Sequence, residues 1–295
     1  MMTAFIRRAS PLLLSLLVLA GPAVAQNPDT DIYLADLRIT AKVIEIGAPR
    51  NLTDRVGYDN QPWFLRDGSG LLYNADMGGQ TDIFRYDYAS GTSTRLTDTP
   101  ENEFSPSMSA DGGEILVVRW AADMSDGHLW RYSPEGWPLG AHPADVPRVG
   151  YYGMANDSIV VAFVNDSVRS LVVANARTGE LQRLGGGLGG SPPQRIPGQD
   201  AVSIVQPDSA GTMWIRRLDL TTHNITNIAP VVEGSLSYVW TADGVLLMPG
   251  GEAIHALNPA VDKEWREVAR FEGIGTISRI ALNAAEDRVA LVVEQ

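Results

Sequence analysis

One pattern narrows the folds open to this chain more than any other: the sequence repeats itself. Each unit carries a polar loop, a short strand entered through Pro or an aromatic residue, a turn rich in Asp, Gly and Asn, a β-branched strand, and two further strands. The clearest pair is Asn60-Gln61-Pro62-Trp63-Phe64-Leu65-Arg66-Asp67-Gly68-Ser69-Gly70-Leu71-Leu72-Tyr73 and Phe104-Ser105-Pro106-Ser107-Met108-Ser109-Ala110-Asp111-Gly112-Gly113-Glu114-Ile115-Leu116-Val117. Both set Asp-Gly between two strand patterns, the strongest short-range hairpin signal. The third strands follow at Thr81 to Tyr86 and Gly127 to Tyr132, where apolar and polar residues alternate with period two. Later units align on the same frame, with anchors at Trp63, Met108, Tyr152, Gln194, Val239 and Ile280, about 41 to 45 residues apart. That is the length of one four-stranded propeller blade. The predicted fold is all-β, a six-bladed β-propeller.

The two ends of the repeat region complete each other. The sixth unit holds only two strands, Thr276 to Leu282 and Arg288 to Glu294. The N-terminal region offers the missing half as Thr30-Asp31-Ile32-Tyr33-Leu34-Ala35-Asp36-Leu37, then Ala41 to Ile46, then Arg50-Asn51-Leu52-Thr53-Asp54. It parallels Thr81 to Asp87 and Arg95-Leu96-Thr97-Asp98 of the first full unit. The sixth blade is therefore expected to be shared between N-terminal and C-terminal strands, which leaves no long exposed edge.

Residues 1–25 read as a signal peptide: Arg7-Arg8, an apolar run from Pro11 to Ala20, and the small-x-small site Ala23-Val24-Ala25. The apolar run is short of the ~20 residues that span a bilayer. The mature region, 26–295, is expected to be one propeller domain, periplasmic or secreted. It has no Cys, so no disulfide framework and no lipid-attachment cysteine is available. The whole chain carries a formal charge of -12, and loss of Arg7 and Arg8 would take it to -14. A phosphate backbone is recruited by Lys and Arg through counterion release, so this balance argues against nucleic acid and against anionic lipid. An apolar fraction of 44%, with seven Trp and nine Tyr, suffices for a packed core.

At Arg50-Asn51-Leu52-Thr53-Asp54 followed by Pro62-Trp63-Phe64, and at Arg95-Leu96-Thr97-Asp98 followed by Pro106-Ser107-Met108-Ser109-Ala110-Asp111-Gly112, the sequence resembles the TolB-like propellers. These are bacterial WD-type repeats with the signature Arg-Leu-Thr, a polar spacer, then Pro-x-Trp/Phe-Ser-Pro-Asp-Gly. The match is strongest in these two units, and Arg183-Leu184 is its later echo. The resemblance implies a periplasmic six-bladed propeller that binds other proteins. It covers the propeller alone, since the stretch between Gln26 and Ile32 is too short for the α/β domain that precedes the propeller in that family.

A search for chemistry finds no Gly-x-Ser-x-Gly elbow, and no P-loop lysine beside the glycine-rich runs. The four histidines, His128, His142, His223 and His255, fall in different units without zinc-ligand spacing. Asp67, Asp111, Asp157, Asp200, Asp243 and Asp287 recur at the inner hairpin turn, where Asp suits the turn geometry, rather than converging as calcium ligands would. No catalytic residue, metal site or cofactor is expected. The candidates for partner binding lie in and after the loops that enter the first strands: Arg55, Tyr58, Asp59, Asn60, Glu101, Asn102, Glu103, Phe104, Arg148, Tyr151 and Tyr152. Aromatics and Arg beside charges at a concave mouth are the residue types that dominate interface energetics, although Phe104, Tyr151 and Tyr152 also suit packing between blades. The sequence thus points to a monomeric, non-enzymatic propeller that binds a protein or peptide of the cell envelope. The competing reading is a metal-dependent lactonase or sugar lyase with its site in the channel.

Overall fold

The computed structural model describes residues 28–40, 43–167, 169–186 and 190–295, and the regular elements in them are all β-strands. The expected signal peptide lies outside the described residues. The chain opens with β1 (Thr30–Ile39), β2 (Ile44–Ile46) and β3 (Arg50–Asn51). Blade 1 follows as β4 (Asp59–Phe64), β5 (Gly70–Asp76), β6 (Thr81–Asp87) and β7 (Thr92–Arg95). Blade 2 is β8 (Asn102–Met108), β9 (Ile115–Trp120), β10 (Gly127–Tyr132) and β11 (Pro138–Ala141). Blade 3 is β12 (Val149–Met154), β13 (Ile159–Val164), β14 (Ser170–Asn175) and β15 (Leu181–Gly186). Blade 4 is β16 (Gln194–Arg195), β17 (Ala201–Pro207), β18 (Met213–Asp219) and β19 (Ile225–Pro230). Blade 5 is β20 (Val239–Trp240), β21 (Leu246–Gly250), β22 (Ala253–Leu257) and β23 (Arg266–Arg270), and β24 (Thr276–Leu282) and β25 (Arg288–Glu294) begin blade 6. Each of blades 1 to 5 is a four-stranded antiparallel meander.

Blade 6 is completed by the N-terminal strands. β1 pairs with β25 over seven residues, from Thr30 opposite Glu294 to Asp36 opposite Arg288, and β25 pairs in turn with β24. The outer edge of β1 takes two short strands instead of one. Leu37 stands opposite Ile46 in β2, and Tyr33 opposite Asn51 in β3. The expected strand from Ala41 to Ile46 is therefore reduced to Ile44–Ile46, with Ala41 outside the described residues. It pairs with β1 and not with the C-terminal strands, because β25 already occupies the inner edge of β1.

The blades are held together by six apolar cores, one at each blade-to-blade contact. The period-two pattern of the middle strands explains this. In β9, Ile115 and Val117 point to blade 1, where they meet Leu65, Leu72 and Ile83, while Leu116, Val118 and Trp120 point to blade 3 and meet Tyr152, Val160 and Ala162. In β25, Val289, Leu291 and Val293 face blade 5, and Ala290 and Val292 face blade 1. Strands that bury both faces read as continuous apolar runs, as Ile115–Val118 and Val289–Val293 do. Each fully buried Leu, Ile or Val contributes roughly 1.5–3 kcal/mol relative to exposure. The outermost strands have no such role and are polar, as in Thr92-Ser93-Thr94-Arg95.

Close to the axis the innermost strands crowd. A Cβ at Gly153 of β12 would stand 2.0 Å from the carbonyl oxygen of Pro193 at the start of blade 4, so only glycine permits the approach. The innermost strands β4, β8, β12 and β24 each carry a register shift, and such bulges bend a strand and re-aim its side chains. In β4 and β8 the shift coincides with left-handed backbone at Gln61 and Ser105, and the Gln61 side chain accepts a hydrogen bond from the Ser105 N–H at 2.6 Å. The inner hairpin turns use acids less uniformly than the repeat suggests. Asp67 and Asp111 accept from the N–H groups of Ser69 and Gly113, each at 3.0 Å, but in blades 3 and 6 Asn156 and Asn283 take that place.

Two outcomes follow from this architecture. Ending the chain at Ser278 would strip β25 and most of β24 from blade 6 and leave two apolar cores open, so the truncated protein is expected to lose its cooperative thermal transition in calorimetry; a near-native transition would contradict a shared sixth blade. His142, buried in the connection from blade 2 to blade 3, has its pKa pulled down to about 4 by burial, with Arg131 adding to the shift. Its folded pKa lies below its ordinary value of 6.5, so the unfolded chain binds the proton first and stability falls as pH drops through the window from 6.5 to about 4. That window corresponds to roughly 3 kcal/mol, and His142→Asn should remove this component in urea titrations across it.

Candidate functional site

The Leu-Thr pair of the repeat signature is a lock between blades. Thr97 Oγ1 accepts from the Ile83 N–H at 2.9 Å and donates to Glu103 Oε2 at 2.9 Å. Thr99 Oγ1 and the Tyr132 hydroxyl donate to Glu103 Oε1 at 2.6 and 2.9 Å. One fully buried carboxylate therefore ties the outer segment of blade 1 to two strands of blade 2. The preceding unit varies the arrangement, with the threonine bound to an acid of its own blade and an arginine reaching the acid of the next. Thr53 Oγ1 accepts from the Ile32 N–H and donates to Asp31 Oδ1, both at 3.0 Å, and Arg55 Nε donates to buried Asp59 at 3.0 Å.

These contacts divide the eleven sequence-predicted residues. Asp59, Asn60, Asn102 and Glu103 are buried within the blades. Asn102 Oδ1 accepts from the Thr81 N–H at 3.0 Å, and Asn60 Oδ1 from the Gln61 N–H at 2.8 Å. Arg55 is committed to Asp59, and Glu101 pairs with Arg119. Tyr152 is a packing residue whose hydroxyl lies 2.7 Å from Ser107 Oγ and donates to the Leu116 carbonyl at 2.9 Å. The remaining four, Tyr58, Phe104, Arg148 and Tyr151, come together around a cavity of about 580 Å³. Tyr151 and Tyr152 separate by alternation, facing the cavity and the blade interface respectively, whereas Asp59 with Asn60 and Asn102 with Glu103 are consecutive and buried together.

The cavity draws on blades 1, 2 and 3. Phe104, Trp120 and Phe163 give it aromatic walls, and Gln61, Asn165 and Arg169 add polar groups. Arg148 is anchored there. Its Nε donates to the Asn165 carbonyl at 2.8 Å, its Nη1 to the Ser125 carbonyl, and its guanidinium carbon lies 5.5 Å from the centre of a Trp120 ring. Arg279, absent from the sequence-based candidates, reaches this group from the far side of the ring. It sits at the register shift in β24 of blade 6 and donates from Nη2 to the Tyr151 hydroxyl of blade 3 at 2.6 Å. Blades 3 and 6 are opposite in a ring of six, so this contact crosses the channel. Its guanidinium carbon stands 5.3 Å from the Tyr151 ring centre, and Tyr58 is also beside it. Arg279 is partly buried and stands next to the cavity through Tyr58 and Tyr151, both of which line it. The one hint available earlier is positional, since Arg279 and Tyr151 each immediately precede a repeat anchor, Ile280 and Tyr152.

Among the described residues, no group of three or more His, Asp or Glu side chains is placed to hold a metal ion, and no helix is long and apolar enough to cross a membrane. A closed ring of five four-stranded blades and a sixth of five strands defines a six-bladed β-propeller. No family model matches the chain. It is 28% identical to an uncharacterized protein of Agrobacterium fabrum over 96 residues, 32% of this chain and 30% of that protein. Among solved structures it resembles a putative TolB from Agrobacterium tumefaciens at 12% identity and a TM-score of 0.68, covering 91% of this chain and 99% of that one. TolB from Acinetobacter baumannii matches at 13% identity and a TM-score of 0.53, over 90% of this chain and 64% of that one. A gluconolactonase from Xanthomonas campestris matches at 13% identity and a TM-score of 0.62, over 95% and 99%. The chain thus spans less than two thirds of the Acinetobacter TolB. In fold it is a TolB-like six-bladed β-propeller.

Burial raises the carboxyl pKa of Glu103, and the nearby charge of Asp82 adds to the shift, against the opposing hydroxyls of Thr99, Tyr132 and Thr97. Folded Glu103 holds its proton to higher pH than the unfolded chain, so the stability linked to it declines as pH rises above the ordinary value of 4.5. Glu103→Gln should make stability fall less steeply between pH 4.5 and 7 in urea titrations. An unchanged slope would show that the residue is ionised throughout.

Proposed function

We propose that this chain is an exported propeller of the cell envelope that binds a protein or peptide through the mouth of its central channel. The observation that carries the reading is the cavity of about 580 Å³ walled by Tyr58, Phe104, Trp120, Arg148 and Tyr151 from three blades. Its size falls within the several hundred Å³ typical of ligand sites. Tyr, Trp and Arg are the side chains that most often anchor interfaces, and here they are held in place by the framework. Arg148 is fixed by two carbonyl acceptors, so little side-chain freedom remains to be lost on binding. The TolB-like fold supports the same direction, and the leader-like sequence of residues 1–25 supports export.

The competing enzymatic reading, prompted by propellers such as the gluconolactonase neighbour, asks for converging oxygen or imidazole ligands around a divalent cation. The side chains at this mouth are arginine, amide, phenol and indole, which favour an anionic or aromatic guest.

The test is capture from an envelope extract on the immobilised protein, with Phe104→Ala/Arg148→Glu as the comparison. A retained polypeptide whose recovery drops about tenfold or more on the double variant is expected. Equal recovery by both forms, or none by either, would refute the reading.

A further inference from the structure

The sequence holds 35 acidic residues against 23 Lys and Arg, yet no acid lines the cavity. Every Asp and Glu belongs to the described residues, because 1–27, 41–42, 168 and 187–189 contain none. Three arginines gather at this place instead: Arg148 and Arg169 on the wall, and Arg279 behind Tyr58 and Tyr151. Arg148 has Asp166 as a counter-charge at 3.7 Å, and Asp166 also pairs with Arg183 at 2.7 Å. Arg279 has none. No ion pair of the structure includes it.

A guanidinium is charged at any physiological pH and presents five donors in a planar fork. Burying part of it without a counter-charge is costly, and the cost is recovered when an anion completes the site. The neighbours cannot supply that charge themselves, since burial raises the phenol pKa of Tyr58 above its ordinary value of 10.0, with Arg279 pulling it the other way. Tyr58 therefore stands beside the fork as a neutral group, and the Tyr151 hydroxyl orients it by accepting its hydrogen bond. The aromatic walls contributed by Phe104, Trp120 and Phe163 suit a guest whose anionic end is carried on an apolar or peptide body.

We infer that the channel mouth is a carboxylate-binding site: Arg279, steadied by Tyr58 and Tyr151, receives an acidic side chain or C-terminal carboxylate of the bound peptide, with Arg148 and Arg169 at its rim. This rests on the peptide-binding reading above and names the group recognised. The strong negative charge of the whole protein repels acidic partners at long range, so selection operates inside the mouth. Pairing there is also less exposed to screening than a surface contact.

The experiment uses four probes at constant ionic strength, read by saturation-transfer NMR and by fluorescence titration: N-acetylated tripeptides ending in Glu or Asp, their fully amidated Gln and Asn counterparts, citrate, and inorganic phosphate. The acidic tripeptides should bind at least tenfold more tightly than the amidated set. Arg279→Gln should weaken the acidic set about ten- to hundredfold, the scale of a lost charge-assisted contact, and leave the amidated set unchanged. Arg279→Lys should recover part of the loss. Equal binding of acidic and amidated peptides by the natural protein overturns the inference without recourse to any variant, as does phosphate binding as tightly as the acids. If Arg279→Gln fails to fold, Arg169→Gln on the exposed rim replaces it, with an expected loss of about threefold confined to the acidic probes. Citrate binding that depends on Arg279, with no peptide bound, would keep the carboxylate site and remove the peptide reading. Partner capture that is undiminished by Arg279→Gln would remove the carboxylate site and keep the partner.

Discussion

The pairing of β1 with β25 is the contact on which the rest of this molecule depends. The second strand of every blade, β5, β9, β13, β17, β21 and β25, buries both faces, so every blade needs two neighbours. A linear array of six such blades would leave one apolar face exposed at each end. Here the two ends are the same blade, assembled from residues more than two hundred and fifty positions apart, with Thr30 opposite Glu294 and Asp36 opposite Arg288. That strand pair fills two cores at once, through Val289, Leu291 and Val293 on one side and Ala290 and Val292 on the other. Closing so long a loop costs chain entropy, although the cost grows only slowly with length. Two interfaces offset it.

Closure also sets the character of the axis. Six innermost strands converge on a narrow channel, and regular strands would place backbone against backbone there. Gly153 and the register shifts in β4, β8, β12 and β24 resolve the crowding. The same shift in β24 carries Arg279 across to Tyr151. The polar mouth is thus a consequence of how the ring closes, and its residues come from strands that never pair with each other.

The signature residues have a physical reason that the repeat pattern alone does not reveal. Thr53 and Thr97 each accept from a strand N–H of the preceding third strand and donate a hydroxyl hydrogen bond to a buried acid. Asp59 and Glu103 look like mouth charges when read along the chain, because they lie in the segments that lead into first strands. In the folded ring they point into the blades. Tyr58, Phe104, Arg148 and Tyr151 occupy comparable positions along the chain and line the cavity instead, and the register shifts of the first strands help to set which neighbours turn inward.

The sequence by itself determined the blade count, the strand order within each blade and the sharing of the sixth. Those features follow from local signals, namely period-two alternation, Asp-Gly turns and a repeat length, which each segment carries independently of its neighbours. The tertiary structure alone decided which charges would be enclosed and which would meet. The contact between Arg279 and Tyr151 joins residues 128 positions apart across a channel. No local pattern encodes it, because it depends on the angle at which six blades close and on a one-residue bulge in β24. Both are settled only when all the blades are packed together.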